Sequence, residues 1–127
     1  MNRVVMKCHK RIQSFRYAFQ GLADAIRTQA NMRIHLAATA VVLPLAWLLN
    51  VSAGEWLALI LVIGLVLCSE AFNTALEYLT DLVSPHQHPL AGKAKDAAAA
   101  AVMLAAFTAA VVGGIIFLPR IFRFLAG

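Results

Sequence analysis

Four polar groups dominate one helical stretch of the chain: Glu70, Asn73, Glu77 and Asp81, spaced 3, 4 and 4 apart. At about 100° per helical residue, with Glu70 at zero, they fall near −60°, −20° and +20°, on one face about 80° wide. Three carboxylates stacked along one face repel each other, so stability alone does not select the pattern. Ionisable groups within or near a bilayer are costly and mark function, usually paired or facing a cavity. Aligned carboxylates with cations nearby suit a divalent cation and a phosphate. Mg²⁺ takes one or two carboxylates, keeps several waters and accepts substrate phosphates as further ligands. Lys93 and Lys95 open the next helix, where a helix N-terminus also favours anionic oxygens. The bland alternative is a structural salt-bridge ladder from these acids to Lys93, Lys95 and the N-terminal arginines.

Other chemistries find less support. The chain has no GxxxxGK[ST] nucleotide loop and no glycine-loop or HRD signature of the soluble kinases. His86 and His88 stand two residues apart in a turn, a weak metal pattern against the simpler reading of loop-surface histidines. Cys8 and Cys68 lie in different environments with no CxxC motif, so both read as small apolar fillers. Nothing in the pattern calls for a nucleic-acid partner.

The elements that must position the acidic face are membrane helices. The 127 residues are 61% hydrophobic and 13% charged, where a soluble domain carries about half apolar and a quarter charged residues. Residues 34–54 and 97–119 contain no Asp, Glu, Lys or Arg, and a bilayer core of about 30 Å needs about 20 mostly apolar residues. A third apolar run, Trp56 to Ser69, leads directly into Glu70. The whole chain, 1–127, reads as one all-α domain, with an amphipathic surface helix at about 5–30 and spans at about 34–50, 55–83 and 91–118. In the surface helix, Ile12, Phe15, Phe19, Leu22 and Ile26 form one stripe and basic residues occupy the other faces, as in helices that lie in the membrane interface. The span from 55 to 83 is longer than the hydrocarbon, so its acidic C-terminal third should emerge into water. Ser84-Pro85-His86-Gln87-His88-Pro89 then breaks the helix.

Seven Lys or Arg against one Asp in residues 1–33 place the N-terminus in the cytoplasm by the positive-inside rule. Arg120 and Arg123 then fall outside, mildly against the rule. No cleaved signal peptide is expected, because more than thirty polar-rich residues precede the first apolar run. The alanines and glycines of the last span let helices approach closely, within one chain or between copies.

The run Glu70-Ala71-Phe72-Asn73-Thr74-Ala75-Leu76-Glu77, followed by Asp81, resembles the E-x-x-N-[ST]-A-[IL]-E-x-x-x-D signature of the prokaryotic diacylglycerol kinase and undecaprenol kinase family. His88-Pro89-Leu90, Ala94-Lys95-Asp96 and Asn31-Met32-Arg33-Ile34-His35 continue the likeness, with a slight lean to the undecaprenol kinase branch. The resemblance implies a homotrimeric lipid kinase of the bacterial plasma membrane, with cytoplasmic active sites that borrow residues from a neighbouring subunit. Its members transfer the γ-phosphoryl group of Mg-ATP to the hydroxyl of a membrane lipid. By position, Glu70 would be the general base, Glu77 would bind Mg²⁺ and Asn73 would position the phosphates. Lys95 would neutralise phosphate charge, and Asp96 would fix that lysine or the nucleotide. Lys10, Tyr17, Asp81, His86, His88 and Gly92 would contact ATP. Where the family usually has a second metal-binding glutamate, this chain has Gln29, whose amide oxygen would be a neutral Mg²⁺ ligand. From the residues alone, a small proton-coupled transporter with Glu70 as proton carrier is the alternative, and a membrane-anchored scaffold is a third reading. The transporter accounts for Glu70 but not for the polar groups at the cytoplasmic end.

Overall fold

A computed structural model describes residues 3–126 of the protein, with side-chain surroundings from Ile12 onward. It contains four helices in chain order: α1 (Arg3–Thr28), α2 (Ala30–Leu48), α3 (Ala53–Val83) and α4 (Pro89–Leu125). Among the described residues there are no strands. The last three helices are each long and apolar enough to cross a membrane.

Local sequence sets each helix end. α2 stops in a Schellman arrangement: Asn50 N–H donates to the Trp47 carbonyl at 3.2 Å and Val51 N–H to that of Ala46 at 3.2 Å. That motif needs a left-handed residue between, and Asn50 supplies it with φ 48°. Two residues later Ser52 and Glu55 form a capping box at the start of α3. His88 caps α4, its Nδ1 accepting from Leu90 N–H at 3.2 Å, and Pro89 occupies the first turn, where a missing N–H costs nothing.

Between α1 and α2 only Gln29 is non-helical, with φ −98° and ψ 119°. Arg33 reaches back over this corner and donates to the carbonyls of Ile26 at 3.3 Å and Arg27 at 2.9 Å. It thereby satisfies acceptors that the end of α1 would leave unpaired.

α3 and α4 form an antiparallel hairpin packed along much of its length, while α2 lies against α3 and α1 meets its neighbours less extensively. At the end of the hairpin away from the 84–88 turn, Ala46, Val51, Leu59, Ile116 and Phe117 make the buried core cluster. There the Arg120 guanidinium forks onto Glu55, Nη1 to Oε1 and Nη2 to Oε2, both at 2.7 Å. One of the two C-terminal arginines is thus matched by a carboxylate. α4 also continues past 118, the expected end of the span, to Leu125. Pro119 removes only its own N–H, and membrane helices tolerate that single loss.

Among the described residues, the apolar stripe of α1 is exposed toward its N-terminal end and becomes part-buried only at Ile26. Ile12, Phe15 and Phe19 are all about two-thirds exposed, an arrangement suited to a helix lying on an apolar surface.

Candidate functional site

The acidic face of α3 runs down a gradient of burial. Glu70 has 0% exposure, Asn73 and Thr74 are buried, Glu77 is half-buried, and the Asp81 side chain is 64% exposed. Thr74 turns its hydroxyl onto the Glu70 carbonyl at 2.9 Å, a bond internal to the helix that leaves the Glu70 side chain untouched. Both Glu70 carboxyl oxygens and the Asn73 Oδ1 are buried without a hydrogen-bond partner. Unpaired buried polar atoms are rare and point to a ligand, an ion or catalysis. Here three oxygens share one helix face, and all can accept. His35, from α2, stands within electrostatic reach of Glu70, a proximity that the chain's order does not announce.

One turn further along, Glu77 is gripped from two sides. Asn73 Nδ2 donates to its Oε1 at 3.0 Å, and Gln29 Nε2 donates to its Oε2 at 3.0 Å. Gln29 therefore reaches Glu77 through its amide nitrogen, and not through the oxygen that a metal ligand would use. The neighbouring residue, Tyr78, ties the same corner: its hydroxyl donates to Asp24 Oδ2 at 2.7 Å and lies 3.0 Å from Thr28 Oγ1. These bonds anchor the end of α1 to α3. Sequence patterning gives no sign of Tyr78, because position 78 lies off the polar face.

The third part of the site is the hairpin turn. Asp81, His86, His88, Gly92 and Lys95 line one open cavity of about 570 Å³, together with the backbone of the 84–88 turn. Lys95 Nζ pairs with Asp81 across the hairpin. The partner of the lysine is therefore Asp81 and not its neighbour Asp96, which is exposed. Successive helical residues diverge by about 100°, so Lys95 can face α3 only if Asp96 does not. Tyr17 lies on α1, two-thirds exposed and outside this cavity. Lys10 belongs to α1, but its side chain lies outside the described residues.

The donor set bears on a metal ion. Among the described residues no three His, Cys, Asp or Glu side chains gather closely enough to hold a metal by themselves. One half-buried carboxylate, Glu77, beside the unpaired Asn73 Oδ1 suits a hard cation that brings phosphate oxygens and water as its remaining ligands. The residues fit Mg²⁺ on a nucleotide and do not fit a stand-alone metal cage.

Three helices long and apolar enough to span a membrane, carrying a buried carboxyl, an amide-held carboxylate and a polar cavity at the hairpin turn, define a multi-pass membrane protein with a polar site at one end. Residues 16–117 match the family model described as prokaryotic diacylglycerol kinase. The chain is 40% identical over 109 residues to the undecaprenol kinase of Bacillus subtilis, a match covering 86% of this chain and 89% of that one. It is 47% identical over 107 residues to a diacylglycerol kinase of Synechocystis, covering 84% of this chain and 61% of that longer one. With the diacylglycerol kinase of Escherichia coli the identity is 32% over 100 residues, or 79% of this chain and 82% of that one. The chain belongs to the prokaryotic diacylglycerol kinase family and is a lipid kinase.

Proposed function

We propose that the protein transfers the γ-phosphoryl group of ATP, with Mg²⁺, to the hydroxyl of undecaprenol or diacylglycerol, the acceptors named by its relatives. The observation that carries this reading is Glu70: a fully buried carboxyl with both oxygens unpaired, on the same helix face as the groups suited to phosphate. Phosphoryl transfer asks little covalent chemistry of the protein and much positioning and charge neutralisation. In this reading Glu70 accepts the proton of the lipid hydroxyl as the hydroxyl oxygen bonds to the γ-phosphorus and the bond to the β,γ-bridging oxygen breaks, releasing ADP. Asn73 donates to Glu77 and offers its free Oδ1 to the reacting assembly. Lys95, held by Asp81, meets the phosphate oxygens, while His86, His88 and Gly92 border the cavity that takes the nucleotide. Glu77 would hold Mg²⁺, which when bound supplies charge neutralisation on the phosphates. Tyr17, Lys10 and Asp96 are proposed as further nucleotide contacts on the family resemblance alone.

The active site faces the cytoplasm, on the side of the basic N-terminus. Three copies assemble into a trimer. Exposed small residues on α4, among them Ala97, Ala99 and Ala101, support close helix approach between copies. The transporter alternative loses its footing in a family of kinases.

The test is incubation of the purified protein in detergent micelles with labelled ATP and a native lipid extract, followed by identification of the labelled product. A phosphorylated polyprenol or diacylglycerol is the expected result. ATP turnover without lipid-dependent product would overturn the reading.

A further inference from the structure

Gln29 occupies the N-cap position of α2, yet its side chain makes no capping bond there. It crosses instead to α3 and donates to Glu77, 48 residues further along the chain. The corner that carries it is fixed from both sides: Arg33 clamps the last carbonyls of α1, and Tyr78 binds Asp24 and Thr28. With Asn73 on the other carboxylate oxygen, Glu77 sits between two neutral amides that satisfy it and add no charge. A carboxylate at position 29 would do the opposite. Two like charges would meet where a hydrogen bond now spans 3.0 Å, a repulsion relieved by a cation between them or by a proton on one of them.

We propose that Gln29 is a positioning residue that stands in for a cation at Glu77, so that the site is assembled before any divalent ion arrives and then takes one ion only. The next carboxylate along the face, Glu70, lies two turns away, about 10 Å along the axis, too far to share an ion bound at Glu77. This inference rests on the reading of Glu77 as the metal ligand.

The experiment compares the full chain in detergent as wild type, Gln29→Glu, and Gln29→Glu combined with Glu77→Gln. The first readout is thermal unfolding without nucleotide, in EDTA and in excess Mg²⁺. Wild type should unfold at the same temperature in both. Gln29→Glu should unfold about 5 °C lower in EDTA and recover with Mg²⁺. The double variant restores an amide–carboxylate pair with its polarity reversed, so it should return to wild-type behaviour and ignore Mg²⁺. A residue that only packs the corner would show neither the magnesium recovery nor the rescue. If Gln29→Glu alone does not fold, folding of the double variant supports the proposal, and failure of both overturns it.

The second readout is Mn²⁺ titration with a non-hydrolysable ATP analogue, expected to give one ion per chain in wild type and two in Gln29→Glu. Two ions per chain in wild type overturn the single-ion claim, and one ion per chain in Gln29→Glu overturns the claim that Gln29 stands in for a cation. Unchanged Mn²⁺ binding in Glu77→Gln instead sinks the metal assignment of Glu77, a failure distinct from that of the amide bridge, which the EDTA arm decides by itself.

Discussion

Replacing Glu70 by Leu should make the protein more stable and nearly inactive at once. The carboxyl is completely buried and neither oxygen has a partner. Leaving a buried polar group unsatisfied costs about 1–3 kcal/mol, and that cost disappears when an apolar group of similar shape replaces it. Allowing for imperfect packing, a net gain of about 1–2 kcal/mol follows, which raises the unfolding midpoint of a chain this size by about 4–8 °C. The same substitution removes the proposed general base, whose contribution is typically about 10²- to 10⁴-fold, or about 2.7–5.4 kcal/mol of barrier. Glu70→Gln separates the two effects. It should lose the same turnover but gain no stability, because the amide is as unsatisfied as the carboxyl. Nucleotide affinity should stay within a few-fold in both. The assays are thermal unfolding in micelles and transfer of label from ATP to lipid. Destabilisation of Glu70→Leu by more than about 1 kcal/mol would mean that the carboxyl serves a structural bond and would refute the reasoning. Turnover within tenfold of wild type in Glu70→Gln would remove Glu70 from the mechanism.

Three further perturbations follow from the geometry. Lys95→Ala should raise KM for ATP about 10- to 150-fold, the loss of a charge-assisted contact, with a smaller effect on kcat; an unchanged KM would place the lysine outside the nucleotide site. Tyr78→Phe removes the bonds to Asp24 and Thr28 and should cost about 0.5–1.5 kcal/mol, seen as faster amide exchange at the end of α1 with the α3–α4 hairpin unaffected. Glu55→Arg with Arg120→Glu should recover the thermal midpoint that Glu55→Arg alone loses, because the swapped pair keeps opposite charges at the same two positions.

Local and periodic features were open to reading from the sequence, and those set by distant partners were not. The 3-4-4 spacing puts four polar groups on one helix face, and the structure orders the same four from buried to exposed. The apolar runs place the starts of α3 and α4 at about 55 and 91, while the caps at Ser52 and His88 set them two residues earlier, at Ala53 and Pro89. The end of α4 is missed, because Pro119 looks like a stop although the helix absorbs it. Gln29 is visible as a departure from a family pattern, yet its role as a donor to Glu77 depends on a partner 48 residues away. The Asp81–Lys95 pair is one rung of the salt-bridge ladder that the sequence allows, but which acid meets which lysine is set by the antiparallel packing of α3 on α4, and the family resemblance points to Asp96 instead. Arg33 belongs to a legible motif whose work, closing the end of α1, depends on how sharply the chain turns at residue 29.

The depth at which Glu70 sits bears on a competitor that any kinase faces. Water is a small and abundant nucleophile, and a carboxylate able to activate a lipid hydroxyl could activate water as readily. On α3 the polar groups closest to solvent, Asp81 and Glu77, are already occupied by a lysine or by amides. The carboxyl left unpaired is the one with no exposed surface. Under the proposed mechanism an acceptor must therefore reach Glu70 from the hydrocarbon side, where alcohols with long apolar tails are concentrated and water is scarce. On that mechanism, selection of acceptor over solvent would be delegated to the bilayer, and wasteful hydrolysis of ATP would be held down by where the base lies.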